Sequence, residues 1–155
     1  MSQYLTFILD EENYGIDISS VIEIIGIQKI VQVPQQPEYT KGVINLRGRI
    51  IPTVDVRIRF NKEKVDYDER TCIIVVDVKE TMVGFIVDRV DEVMTISDES
   101  ISQPPNFNQD FKGKYVKGIA KTESEIIILL ESGLLLSSQE LKETEFLHER
   151  KKDNS

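Results

Sequence analysis

Lys41-Gly42-Val43-Ile44-Asn45-Leu46-Arg47-Gly48-Arg49-Ile50-Ile51-Pro52-Thr53-Val54-Asp55-Val56-Arg57 is the stretch from which the rest of the chain is read. Val43-Ile44-Asn45-Leu46 has the β-branched content of a strand, and Arg47-Gly48-Arg49 supplies a turn. A second strand follows over residues 50–58. In it Val54, Val56 and Ile58 alternate with Thr53, Asp55, Arg57 and Arg59, giving one buried face and one wet face. Pro52 cannot donate to a ladder, so an edge or a bulge is expected around it. Gly42 and Gly48, with Gly118 further on, fit turns and close strand approach. The segment reads as a β-hairpin, and the expected fold class is all-β.

The flanks continue in the same style. Leu5, Phe7 and Leu9 share one face and Tyr14, Ile16 and Ile18 another, with the Asp10-Glu11-Glu12-Asn13 turn between them. Ser20-Val21-Ile22-Glu23 has the form of a capping box, which predicts a short helix of about two turns closed by Gly26. Residues 61–70 are charged and carry no apolar period, so they read as a loop. Residues 72–78 and 82–87 form a third hairpin around Lys79-Glu80-Thr81. Residues 97–114, polar and containing Pro104-Pro105, read as an irregular excursion. A fourth hairpin spans residues 115–120 and 126–130. The tail from Ser137 to Lys152 begins with a second Ser-x-x-Glu and reads as a charged C-terminal helix.

An internal repeat underlies this order. Gly15-Ile16-x-Ile18-x-x-Val21-x-Glu23-Ile24 matches Gly84-Phe85-x-Val87-x-x-Val90-x-Glu92-Val93 at an offset of 69 residues, and Lys41-Gly42-Val43 is echoed by Lys117-Gly118-Ile119 at an offset of 76. A duplication of this size makes two similar lobes, about 15–70 and about 71–136, with the N-terminal strand free to pair with either. Each lobe alone is too small for a sizeable core, so the two should pack against each other. Short strands with glycine turns favour small closed barrels, which remove exposed sheet edges.

Composition narrows the function. The 155 residues carry 19 Lys and Arg against 27 Asp and Glu, a net charge of −8, which disfavours nucleic acid and anionic membrane surfaces as partners. No apolar run approaches the roughly 20 residues of a membrane-spanning helix, the N-terminus has no leader pattern, and the single Cys72 calls for no oxidising compartment. A cytoplasmic protein is expected. Nor does the chain show catalytic equipment. His148 lies in the hydrophilic tail, Cys72 opens an apolar strand, and phosphate loops, nucleophile elbows, zinc patterns and calcium loops are missing. Neither metal nor cofactor is expected. Asp55 alternates with Arg57 on one strand face and reads as half of a surface ion pair in preference to a catalytic carboxylate. The chain reads as a binding module.

The 17-residue stretch resembles the signature of CheW-like domains: a Lys-Gly strand, Asn-Leu-Arg-Gly at the turn, then a strand carrying Pro, Asp and Arg. Asn45, Gly48, Pro52, Asp55 and Arg57 carry that motif together with Gly42. Tyr14-Gly15-Ile16-Asp17-Ile18, Val83-Gly84-Phe85-Ile86-Val87-Asp88 and Val116-Lys117-Gly118 also resemble the family in order, and the likeness runs over residues 4–141. It implies a single domain over 1–141 made of two packed SH3-like five-stranded barrels, followed by a charged tail over 142–155.

The resemblance also implies a non-enzymatic chemotaxis adaptor. It would join the cytoplasmic tips of methyl-accepting chemoreceptors to the regulatory domain of the histidine kinase CheA, as a monomer in solution and part of arrays in the cell. Family analogy puts Arg47 at the receptor contact; as a structural alternative, Arg47 pairs with Glu23 and ties the short helix to the barrel. Val21, Ile24, Ile44 and Leu46 either line an apolar groove for a receptor helix or belong to the core. The kinase-binding residues are unknown. Arg49 departs from many relatives, which carry an apolar residue there. Two other readings are the adaptor portion of a CheV-like fusion, for which 155 residues leave no room for a receiver domain, and a small β-barrel module of unrelated function.

Overall fold

A computed structural model describes residues 2–34, 40–103 and 115–135. The expected C-terminal helix, and most of the excursion over 97–114, lie outside them. The described residues form β1 (Ser2–Leu9), β2 (Glu12–Asp17), β3 (Val21–Gly26), β4 (Thr40–Leu46), β5 (Arg49–Asp55), a single helical turn α1 (Val56–Arg59), β6 (Cys72–Val78), β7 (Thr81–Val87), β8 (Arg89–Ile96), β9 (Ile101–Ser102), β10 (Val116–Lys121) and β11 (Ile126–Leu130). The described residues are mostly β with almost no helix.

The strands assemble into two sheets, ordered β8-β1-β2-β11-β10-β9 and β3-β6-β7-β5-β4. The two orders mirror one another. The β1–β2 hairpin occupies the place in the first sheet that β6–β7 holds in the second. Each hairpin meets a parallel neighbour through its glycine strand, Leu129 opposite Gly15 and Thr53 opposite Gly84. Each sheet has a register shift at the corresponding glycine, between Thr40 and Gly42 and between Val116 and Gly118. The duplication seen in the sequence is therefore present in the fold.

The sheets do not follow the lobe boundaries expected from the sequence. β6 and β7, expected in the second lobe, complete the sheet of β3, β4 and β5, while β1 and β2 join β8–β11. The two copies have exchanged their first hairpins, so the chain crosses between sheets after β2 and again after β7.

Three hairpins close through two-residue loops whose residues both have positive φ: Asp10-Glu11 (51° and 64°), Arg47-Gly48 (50° and 86°) and Lys79-Glu80 (51° and 70°). This is the turn geometry that matches strand twist. Between the sheets lies the main core. Leu5, Phe7, Tyr14 and Ile16 of one sheet pack with Val54, Ile74, Val76, Val83 and Phe85 of the other, joined by Phe60, Tyr115, Leu130 and Leu135. Each such side chain contributes about 1.5–3 kcal/mol when fully buried. Each sheet also has a smaller cluster of its own, around Ile44, Ile51, Ile73 and Ile86 in one and Tyr4, Ile96, Ile127 and Leu129 in the other.

Two local expectations are corrected. The short helix at Ser20 is instead a 3-10 turn, Ile18–Ser20, capped by the Asp17 carboxylate on the Ser19 amide at 2.9 Å, and Val21–Gly26 is a strand. Four β-branched residues in six lose side-chain freedom in a helix and favour a pleat, and the Glu23 carboxylate that would close the capping box is bound elsewhere. The strand expected over 50–58 stops at Asp55, whose carboxylate caps the Ile58 amide at 3.3 Å and starts α1. Of the edge or bulge expected around Pro52, the structure has the second: Pro52 lies in an interior strand, beside a register shift. It pairs with Val43 of β4 one residue before the ladder to β7 begins at Thr53, and next to the shift at Gly42.

Candidate functional site

The Asn45–Gly48 turn is built from its own side chains. Asn45 Oδ1 accepts the Gly48 amide at 2.8 Å, holding the loop so that Arg47 projects from its tip, 70% exposed. β3 and β4 are the two outer strands of their sheet, yet Arg47 at the end of β4 reaches Glu23 on β3. Its Nη1 donates to Glu23 Oε2 at 2.9 Å and its Nη2 to Oε1, a two-pronged ion pair. Gln28 Nε2 donates to the Asn45 carbonyl at 3.2 Å beside it. The sheet therefore curls far enough for side chains of its two outer strands to touch. The hydrogen bonds from Arg47 hold the Glu23 carboxyl below the usual glutamate range, and Glu23 in turn raises the Arg47 guanidinium. Of the two roles read for Arg47, the pairing with Glu23 is present, to a strand instead of a helix.

The structure separates the apolar residues expected at the same site. Ile44 (1% exposed) and Leu46 (7%) are core, packed with Ile51, Ile73 and Val75. Val21 is half-buried against the main core. Ile24 is 42% exposed, and Ile22, which sequence reasoning missed, is 48% exposed. The signal for Ile22 was available: once residues 21–26 are read as a strand, Ile22 and Ile24 fall on one face by alternation. Among the described residues β3 pairs with β6 alone, so these two isoleucines sit on an outer strand.

Asp55 and Arg57 do not form the expected surface pair. Asp55 is buried in capping α1 and accepts the Tyr67 hydroxyl at 2.6 Å; burial and then Asp55 push the Tyr67 phenol well up. Arg57 turns the other way. Its Nε meets Asp88 at 2.8 Å, its Nη1 the Glu63 carbonyl at 2.6 Å and its Nη2 Asp10 at 3.5 Å. Once the chain leaves β5 for a helical turn, residues two apart no longer share a face, which is why the strand-based pairing fails. Gly42 has φ 140°, and a side chain there would run into the backbone of Val31.

Among the described residues no group of three or more His, Cys, Asp and Glu is placed to hold a metal ion, and no helix is long and apolar enough to cross a membrane. The arrangement offers an exposed guanidinium, its carboxylate partner and two exposed isoleucines, which are means of recognition.

Residues 3–140 match the family model of the CheW-like domain. The chain belongs to the CheW-like domain family. It is 37% identical over 139 residues to the chemotaxis protein CheW of Klebsiella aerogenes, covering 90% of this chain and 84% of that protein. Against the chemotaxis protein CheW of Thermotoga maritima it is 34% identical over 145 residues, with 91% of each covered. The crystal structure of the scaffolding protein TtCheW from Thermoanaerobacter tengcongensis superposes with a TM-score of 0.82 at 38% identity, over 88% of this chain and 92% of that one. As a CheW-like protein the chain is a coupling adaptor of chemotaxis signalling.

Proposed function

We propose that the chain joins the cytoplasmic tips of methyl-accepting chemoreceptors to the regulatory domain of the histidine kinase CheA, working in the cytoplasm and catalysing nothing. The observation that carries the receptor half is the outer strand β3, where Ile22 and Ile24 are exposed on either side of Glu23 and its partner Arg47. Exposed apolar side chains on an outer strand, rimmed by charge, suit an amphipathic helix that lays an apolar stripe against them. The receptor-contacting residues are accordingly Val21, Ile22, Glu23, Ile24 and Arg47, with Ile44 and Leu46 supporting them from the core.

The approach of β3 to the β4–β5 turn supports reading that sheet as an SH3-like barrel, and the matching strand order extends the reading to the other. Gly42, Asn45, Gly48 and Pro52 then act by shaping the hairpin that presents Arg47. Reconstitution tests the proposal: receptor signalling fragments displayed on vesicles should retain CheA on sedimentation only when this chain is added. Retention of CheA to the same level without it would overturn the coupling role.

A further inference from the structure

Arg57 and Lys62 sit in an ionic network that touches both sheets and lies apart from the proposed receptor surface. Arg57 is the second residue of α1, just past the end of β5. Asp10 and Glu12 belong to the β1–β2 hairpin of the other sheet, and Asp88 is the single residue between β7 and β8, where the chain crosses from one sheet to the other. Asp88 Oδ1 accepts Arg57 Nε at 2.8 Å while its Oδ2 accepts the Asp10 amide, also at 2.8 Å. Arg57 Nη2 reaches the Asp10 carboxylate at 3.5 Å, and Lys62 pairs with Glu12 and lies 3.7 Å from Asp10. The Lys62 amide donates to the Arg57 carbonyl at 2.8 Å, so the two cations are held as one unit. Their side chains are only 11% and 8% exposed. The Asp88 hydrogen bond and the nearby carboxylates raise the Arg57 guanidinium further above its usual value.

We propose that Arg57 is a positioning residue: with Asp88 and Asp10 it sets the angle between the two sheets, and so the spacing of the surfaces this adaptor offers to its partners. The apolar core between the sheets supplies cohesion, but apolar contact is non-directional and tolerates sliding and rotation. A planar guanidinium bonded along fixed directions to a carboxylate at the crossover and to the hairpin of the opposite sheet does not. Removing one partner of a low-exposure ion pair leaves the other without its directional bond, whereas the core remains intact. The orientation claim depends on the geometry alone and stands apart from the identity of either partner.

The test is to measure amide residual dipolar couplings on the full-length protein, fitted once with a single alignment tensor for all strands and once with separate tensors for β3–β7 and for β1, β2 and β8–β11. The wild type should fit a single tensor. Arg57→Gln and Asp88→Asn should each keep both separate fits at wild-type quality while the joint fit degrades and the two tensor axes diverge. A role confined to stability would lower the melting temperature without moving the axes. The proposal is overturned if the folded variants fit one tensor as well as the wild type does, or if the wild type itself requires two. Should Arg57→Gln fail to fold, Asp88→Asn decides. Loss of the fold in both variants also overturns it, because the network would then be holding the fold together and not setting an angle.

Discussion

Replacing Gly42 with alanine should be among the most costly single-methyl additions in this protein. A Cβ built at Gly42 would stand 2.2 Å from the Val31 carbonyl oxygen, 2.8 Å from its carbon and 3.0 Å from Gln32 Cα, all of them backbone atoms with no rotamer to yield. The clash falls on the bridge between Val31 and Val43, whose two hydrogen bonds measure 2.8 and 2.9 Å. Losing both costs about 1–3 kcal/mol in total. Holding a non-glycine residue at φ 140° adds about 1–3 kcal/mol. The expected loss is about 2–6 kcal/mol, a large share of the roughly 5–15 kcal/mol that stabilises an ordinary domain. In urea, with a slope of about 2 kcal/mol/M, the midpoint should fall by about 1–3 M with the slope unchanged.

Gly118, the counterpart in the other sheet, provides the internal control. A Cβ there meets the Ile101 Cγ2 methyl at 2.7 Å and the Ser102 carbonyl at 3.2 Å. Its nearest obstacle is a side chain, so Gly118→Ala should cost about 1–2 kcal/mol, the scale of modest overpacking. A loss below about 1 kcal/mol for Gly42→Ala, or a larger loss for Gly118→Ala than for Gly42→Ala, would refute the reasoning.

Further outcomes follow from other contacts. Tyr67→Phe removes the hydroxyl that satisfies buried Asp55 and should cost about 1–3 kcal/mol by thermal or chemical unfolding, with the fold retained. Arg47→Ala should leave the melting temperature nearly unchanged, since the ion pair is solvent-exposed, while weakening receptor-fragment binding by about tenfold or more in calorimetry. Because Arg47 lowers the Glu23 pKa, the pairing contributes above the ordinary glutamate range and is lost as pH falls through the lowered folded value. The Glu23 carboxyl carbon shift should therefore titrate on the acid side of a free glutamate and move back up in Arg47→Ala. Tyr14, Tyr67 and Tyr115 have phenols raised chiefly by burial, so their neutral forms stabilise the fold until the unfolded phenols ionise. Stability should fall as pH rises past about 10, which alkaline unfolding monitored by tyrosine absorbance would read.

The parts of the fold legible in the sequence are those that local rules specify. Alternation and turn chemistry gave the hairpins at Asp10-Glu11, Arg47-Gly48 and Lys79-Glu80, and the 69-residue offset gave the duplication. What failed was decided at long range. Ser20-Val21-Ile22-Glu23 satisfies a capping box on paper, but Glu23 is taken by Arg47, 24 positions along the chain, and the β-branched run pairs with β6. β8 went unread because its outward residues Asp91, Glu92 and Val93 are all exposed, and its place depends on β1, about 85 residues earlier. The exchange of hairpins leaves no local trace, since each strand looks the same whichever sheet it joins. At the candidate site, Arg47 and Glu23 were legible as partners from charge and the family pattern. The division between exposed Ile22 and Ile24 and buried Ile44 and Leu46 became visible only once β3 was known to be a strand. Asp55 and Arg57 were misread because a two-residue spacing means a shared face only while the strand continues, and α1 ends it.

The central claim is that one small protein holds two partners at different places, and an amide-shift titration tests it most directly. Isotope-labelled protein would be titrated with a receptor-tip fragment and, separately, with the isolated regulatory domain of a CheA from the same organism. Two distinct patches of shifted amides should appear, with the receptor patch including Val21, Ile22, Glu23 and Arg47. No shift from either partner at sub-millimolar concentration, or the same patch shifted by both, would contradict the account.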